Sequence, residues 1–284
     1  MRFAVVGVVG SGVMASGVAE VCANAGATVI VRSRSSDGGD SLLSTLERSL
    51  AREVEKAKRS RTDVDEVRAR VSVTERLEDL ADCDLVIESI VEEMPAKRAL
   101  FDELDRLVRP DAILATNTST LSVFELAMAT SRPERVCGMH FFNPAQVMTL
   151  VEVVRPMSAS DETIEAVVDF ARACGKDPVV VKDQPGFVVN ALLFPYLNDA
   201  VRLLELEVAS TDGIDTAMKG GCGFPMGPFA LLDLIGLDVA VAILDTLHAE
   251  LADAHLEPRP TLRRMVSAGH LGRKSGVGFY DYRQ

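Results

Sequence analysis

Two rhythms of apolar and polar positions alternate along the first two thirds of the chain. Short runs rich in β-branched residues, each about one strand long, recur at residues 2–9, 27–31, 85–90, 112–115, 135–139, 150–154 and 178–181. Runs of this kind, apolar on both faces, suit strands buried in a parallel sheet. Between them the apolar residues return every three or four positions, as in residues 13–25, 42–61, 96–108, 123–129 and 161–174, which is the spacing of helices with one buried face. Strand and helix in alternation predict a doubly wound, Rossmann-type α/β domain with a mostly parallel sheet.

After DQPGF the pattern changes. From residue 188 onward the apolar spacing is helical and β-branched runs are few, so a smaller all-α domain is expected to begin there. The expected division is residues 1–184 for a dinucleotide-binding domain and residues 185–284 for a helical substrate and dimerisation domain. A length of 284 residues suits two domains of this size.

The first strand ends in glycines. In Gly10-x-Gly12-x-x-Ala15 the first glycine allows a tight turn and the second lets the backbone approach a pyrophosphate, while the third position governs helix–strand packing. The following helix would offer its free N–H groups and the positive end of its dipole to phosphate. The motif lies inside a strand–helix–strand unit, which raises it above a chance match. At the end of the second strand, a carboxylate would accept hydrogen bonds from an NAD ribose. This chain has Arg32, Ser33 and Arg34 there, followed by Ser35 and Ser36, groups that suit the extra phosphate of NADP. NADP is therefore the expected coenzyme ahead of NAD.

Composition narrows the partners. Nearly half the residues are apolar and 25% are charged, as in ordinary globular proteins, and the formal net charge of −12 argues against a nucleic-acid backbone as ligand. The most basic segment is the helix at 42–61, with Arg48, Arg52, Lys56, Lys58 and Arg59. The five cysteines have no metal-ligand spacing, so no metal site is expected. With no leader sequence recognised and an N-terminal apolar run too short to span a bilayer, the expectation is a cytoplasmic protein with free thiols and no membrane partner.

Candidate chemistry gathers in three motifs: ATNTSTL at residues 115–121, GMHFFNPAQVMTLVEVV at 138–154 and DQPGFVVNALL at 183–193. His140 is read as lying just beyond the strand 135–139, at the carboxyl edge where open α/β sheets place ligands. Oxidation of a secondary alcohol by a nicotinamide needs a base for the hydroxyl proton, and imidazole titrates in the useful range. Glu152, in or at the start of the next strand, is able to meet the other ring nitrogen.

With GFPMGPFALLD at 223–233 and LGRKSGVGFYDY at 271–282, these motifs in this order strongly resemble the 3-hydroxyacyl-CoA dehydrogenase family across essentially the whole chain. The resemblance implies interconversion of (S)-3-hydroxyacyl-CoA and 3-oxoacyl-CoA, with a short acyl chain, and a homodimer. It implies His140 as general base, Glu152 as its orienting partner, and Ser119 and Asn190 as contacts of the substrate oxygen. It further implies Glu92, Lys97, Asn117, Asn143 and Lys274 as coenzyme contacts, and Ser49 and Lys56 as contacts of CoA. Two positions depart from the family pattern: Ala15 stands for the usual third glycine and Ser33 for the usual acidic residue, which puts coenzyme identity in question. The rival readings are a dehydrogenase of a non-CoA hydroxy acid, resembling L-gulonate dehydrogenase or lambda-crystallin, and a dinucleotide-binding protein without turnover.

Overall fold

The structure is a computed structural model that describes residues 3–283. The chain divides into two compact units, residues 1–184 and 185–284.

The first unit holds β1 (Val5–Val9), α1 (Val13–Asn24), β2 (Thr28–Arg32), α2 (Ser36–Glu55), α3 (Arg61–Ala69), β3 (Val71–Thr74) and β4 (Leu85–Glu88). It continues with α4 (Met94–Leu107), β5 (Ile113–Thr116), α5 (Val123–Ala127), β6 (Val136–Phe141), β7 (Leu150–Arg155), α6 (Asp161–Ala173) and β8 (Asp177–Lys182). The strands form one eight-stranded sheet in the order β3-β2-β1-β4-β5-β6-β7-β8. Strands β1 to β6 are mutually parallel, β7 runs antiparallel to β6, and β8 is parallel to β7. The order reverses direction between β1 and β4, and an open sheet of this kind opens a crevice at that switch point. Residues of β4, β5 and β6 are all buried, which is why these strands read as unbroken apolar runs instead of alternating ones.

Three expectations change. The first strand was expected over residues 2–9; it begins at Val5, and Arg2 lies outside the described residues. The helix expected to run through residues 42–61 starts at Ser36, ends at Glu55 and is followed by a separate α3. Ala57 has a positive φ of 52°, and Ser60 and Asp63 form a reciprocal capping box that starts α3. The short strand β3, partly exposed at the sheet edge, has no counterpart in the sequence reading.

The second unit is helical: α7 (Val189–Glu205), α8 (Thr211–Cys222), α9 (Pro228–Ile235), α10 (Leu237–Leu251) and α11 (Pro260–Ser267). Its core gathers Phe194, Leu197, Val201, Phe229, Leu232, Leu244 and Leu262. Two buried carboxylates tie its ends together. Asp215 accepts from the N–H groups of Phe229 and Ala230 at the start of α9, and from the Tyr280 hydroxyl. Asp233 accepts from the N–H groups of Phe279 and Tyr280 and from the Tyr282 hydroxyl, so GFYDY folds back onto α9. Among the described residues no helix is long and apolar enough to cross a membrane.

Candidate active site

The glycine turn leaves β1 at the switch point. Gly10 has φ +137°, and a Cβ there would lie 2.2 Å from the Ser89 carbonyl oxygen, so only glycine fits. A Cβ on Gly12 would meet nothing within 4 Å, and Gly12 caps α1 without any side-chain hydrogen bond or acidic residue in the first turn. The free N–H groups of α1 thus face open space, a cradle that fits a pyrophosphate. Ala15 is fully buried and packs where the third glycine was expected.

At the end of β2 the groups differ in what they offer. Ser33 was expected to face a coenzyme phosphate. It is instead buried, and its hydroxyl donates to the Ser35 carbonyl at 2.8 Å, so it builds the turn. Ser35 caps α2 by accepting from the Gly38 N–H. A Cβ on Gly38 would come within 2.7 Å of the Ser33 hydroxyl and 2.9 Å of the Ser11 hydroxyl, so three serine hydroxyls converge on the first turn of a 20-residue helix. Arg32 is half-buried with a buried Nε that has no hydrogen-bond partner, and Arg34 is exposed.

Further along the edge, β6 and β7 pair in a register that sets His140 directly opposite Glu152. His140 therefore lies within the strand, two residues further into it than the sequence reading allowed. The ring is 7% exposed, its Nδ1 is 2.8 Å from Glu152 Oε2, and Phe142 packs against it with ring centroids 4.5 Å apart. A carboxylate accepts only, so Nδ1 carries the proton and the basic lone pair of the neutral ring is on Nε2. Asn117, just past β5, accepts from the Phe141 N–H through Oδ1 and donates to the Ser89 hydroxyl, tying the ends of β4, β5 and β6 together.

Ser119 lies in the loop after β5. The Glu92 carboxylate accepts from its N–H at 2.8 Å and its hydroxyl at 3.2 Å, and from the Thr118 hydroxyl at 2.6 Å. Lys97 was expected to contact the coenzyme. Its ammonium is instead closed off in the interior between Glu88 and Glu92, because α4 packs it beneath the end of β4. Asp183, from DQPGF, reaches back to accept from the N–H groups of Val123 and Phe124 and so caps α5 at the far end of the Ser119 loop. Neither Glu88 nor Asp183 was singled out from sequence. The polar end of the apolar run LVIE was the signal for Glu88.

The remaining expected residues are dispersed. Asn143 is exposed in the loop between β6 and β7. Ser49 is half-buried on α2; its hydroxyl accepts from Gln146 and is hydrogen-bonded to Glu20, so it faces inward where an exposed CoA contact was expected. Lys56 is exposed at the carboxyl end of α2. In the second unit, Asn190 is buried in the first turn of α7, and Lys274 pairs with Asp238.

Residues 5–184 match the family model described as 3-hydroxyacyl-CoA dehydrogenase, NAD binding domain, and residues 186–282 match that of the C-terminal domain. The chain belongs to the 3-hydroxyacyl-CoA dehydrogenase family. It is 46% identical over 275 residues to the 3-hydroxybutyryl-CoA dehydrogenase of Clostridioides difficile, spanning 97% of this chain and 98% of that one. It is 42% identical over 283 residues to human mitochondrial hydroxyacyl-coenzyme A dehydrogenase, spanning 97% and 90%. The crystal structure of Mycobacterium tuberculosis FadB2 superposes with a TM-score of 0.97 at 43% identity, covering 99% of this chain and 100% of that one. That of (S)-3-hydroxybutyryl-CoA dehydrogenase PaaH1 from Ralstonia eutropha gives 0.96 at 41% identity, with the same coverage. As a member of the 3-hydroxyacyl-CoA dehydrogenase family the protein is an enzyme with a nicotinamide dinucleotide cofactor, and the cradle over α1 fits that group.

Proposed function

We propose that the protein interconverts (S)-3-hydroxybutyryl-CoA and acetoacetyl-CoA, uses NADP(H) in preference to NAD(H), and works as a reductase. The observation that carries the chemistry is the His140–Glu152 couple, 2.8 Å apart at the carboxyl edge of the sheet. In oxidation Nε2 of His140 takes the hydroxyl proton, and the Glu152 carboxylate holds the ring in orientation and stabilises the imidazolium; in reduction the same proton returns to the carbonyl oxygen. When bound, the nicotinamide supplies the hydride acceptor in oxidation and the donor in reduction. Ser119 and Asn190 hydrogen-bond the substrate oxygen, on the strength of the family likeness. Gly10, Gly12 and Ala15 shape the pyrophosphate cradle, and Asn117, Asn143, Glu92 and Lys274 act around the coenzyme. Lys56, with the neighbouring cations of α2, meets the phosphates of CoA.

The NADP preference is supported by the unpartnered buried Nε of Arg32, the exposed Arg34 and the hydroxyls around the start of α2, with no carboxylate in the turn from residue 32 to 36. Residues 1–184 serve as the dinucleotide-binding domain, and residues 185–284 as the substrate and dimerisation domain. A homodimer through the second unit is supported by its exposed Leu192, Leu206, Val208 and Leu234. Free thiols at Cys22, Cys83 and Cys137 suit a reducing, cytoplasmic setting.

The test is steady-state reduction of acetoacetyl-CoA with NADPH and with NADH, beside free acetoacetate. A higher kcat/KM with NADPH and with the CoA ester is expected. A clear NADH preference would reject the coenzyme reading, and equal turnover of free acetoacetate the substrate reading.

A further inference from the structure

An ion cluster beneath the Ser119 loop takes no part in the proton transfer described above. Glu88 and Lys97 are both 0% exposed. Glu88 is fully engaged: its Oε1 accepts from the Ile90 N–H and from Lys97 Nζ, each at 2.7 Å, and its Oε2 accepts from the Thr116 hydroxyl at 2.7 Å. Lys97 Nζ also stands 3.1 Å from Glu92 Oε2. The Glu92 side chain is 37% exposed, yet its other oxygen receives both the N–H and the hydroxyl of Ser119.

A carboxylate that exposed, on the loop between β4 and α4, would spend much of its time hydrated unless something fixed it. The buried ammonium does so through a charge-assisted bond, the strong class of hydrogen bond. A buried ion cluster gains little stability over an apolar filling of the same volume. What this one does is hold a surface carboxylate in place.

We propose that Lys97 is a positioning residue: from the interior it clamps Glu92 onto the N–H and hydroxyl of Ser119, and so sets where that hydroxyl meets the substrate oxygen. The inference rests on the reading that Ser119 contacts that oxygen. It replaces the coenzyme contact expected of Lys97 with a role that acts through two other side chains.

Burial pushes the Glu92 carboxyl up, but the Lys97 ammonium and the Thr118 and Ser119 donors outweigh it and hold the carboxyl below the usual range. Glu92 therefore stays ionised, and an acceptor, at neutral pH. Removing the ammonium leaves the burial unopposed by a cation, so the carboxyl shifts upward. As pH falls through the new value Glu92 protonates and ceases to accept from the Ser119 N–H.

The experiment is the pH dependence of kcat for acetoacetyl-CoA reduction at saturating coenzyme. In this direction His140 is the proton donor, so an acid-side fall in rate belongs to another group. Lys97→Met keeps the chain length and removes the charge. It is expected to lose kcat as pH falls, the loss setting in at a higher pH than any acid-side fall of the wild type. The double variant Lys97→Met/Glu92→Gln keeps Glu88 but has no carboxyl against Ser119; a slow, flat profile is expected, and an acid-side fall that persists in it belongs to Glu88 and overturns the clamp. Coenzyme Kd, read from the fluorescence of the reduced form, should stay within about threefold of wild type in Lys97→Met, since less than 1 kcal/mol is then at stake. Should Lys97→Met fail to fold, Glu92→Ala, at a surface position, carries the test with an expected fall of about tenfold in kcat.

Ser119→Ala separates the two levels. If it lowers kcat while Lys97→Met and Glu92→Ala keep the wild-type rate and profile, the clamp is overturned and the Ser119 reading stands. If Ser119→Ala itself turns over at the wild-type rate, the reading beneath the clamp fails and the clamp with it. A weakened coenzyme Kd with unchanged kcat in Lys97→Met would overturn the clamp in favour of a direct coenzyme contact.

Discussion

Replacing Glu20 with glutamine should stabilise the protein, and the gain should depend on pH in one particular way. Glu20 lies on α1, 1% exposed, with Oε1 buried and without a hydrogen-bond partner. Burial pushes its carboxyl up from 4.5 to about 7; the Ser49 hydrogen bond and the charges of Arg59 and Lys176 oppose this, and nearby Glu53 reinforces it. The folded state thus binds the proton more tightly than the unfolded chain. Below pH 4.5 both states are protonated and Glu20 has no effect on stability through its charge. Between 4.5 and about 7 the unfolded state ionises first, so stability falls as pH rises, and above that range the whole cost is present. A rise of about 2.5 units at 1.36 kcal/mol each makes this cost roughly 3 kcal/mol. Glu20→Gln keeps the shape and abolishes the ionisation. In urea denaturation the difference in stability between variant and wild type should be near its minimum at about pH 4 and grow by roughly 3 kcal/mol by pH 8. A gain that is constant across this range would mean that Glu20 titrates as an ordinary carboxyl, and the reasoning would be wrong.

Other expectations follow from the same geometry. His140→Ala should lower kcat by about 10²- to 10⁴-fold, the usual worth of a general acid–base, while coenzyme Kd measured by fluorescence stays put. Glu152→Gln, which keeps a hydrogen bond to Nδ1 but loses the charge, should cost less than His140→Ala in the same assay, and a loss as large would contradict an orienting role. Ser33→Asp should lower the ratio of kcat/KM for NADPH to that for NADH by about tenfold or more, because a carboxylate in that turn repels a phosphate. Asp233→Ala strands two backbone N–H groups and the Tyr282 hydroxyl, so thermal unfolding should report a loss of about 3 kcal/mol or more, with the C-terminal segment newly open to proteolysis.

The alternating strands and helices of the first unit and the helical character of the second were legible because apolar period is a local property of the chain. The glycine turn was equally legible, since Gly10 and Gly12 follow a buried strand directly. The break between α2 and α3 was missed although SRTD carries its capping box, because the apolar spacing runs on past it. Residue proximity was harder. His140 and Glu152 were paired from their places on successive strands and given roles by family likeness; that they face each other follows from the reversal of β7, which nothing in the loop sequence FNPAQVMT announces. Lys97 reads as the charged face of an amphipathic helix, and its burial becomes visible only when β4 brings Glu88 beneath it. Ser33 was read by its chemistry alone, and the direction of its hydroxyl depended on a turn that closes two residues later.

The reversal of β7 has a further consequence for how the enzyme dies on heating. The acid–base couple is stitched by backbone ladder bonds, with β8 as an outer strand between it and the end of the sheet. That outermost strand, with Val179 and Val180 showing to solvent, is the sacrificial one and can fray first. Separating imidazole from carboxylate requires the ladder behind it to come apart, so inactivation should coincide with cooperative melting of the sheet and not precede it.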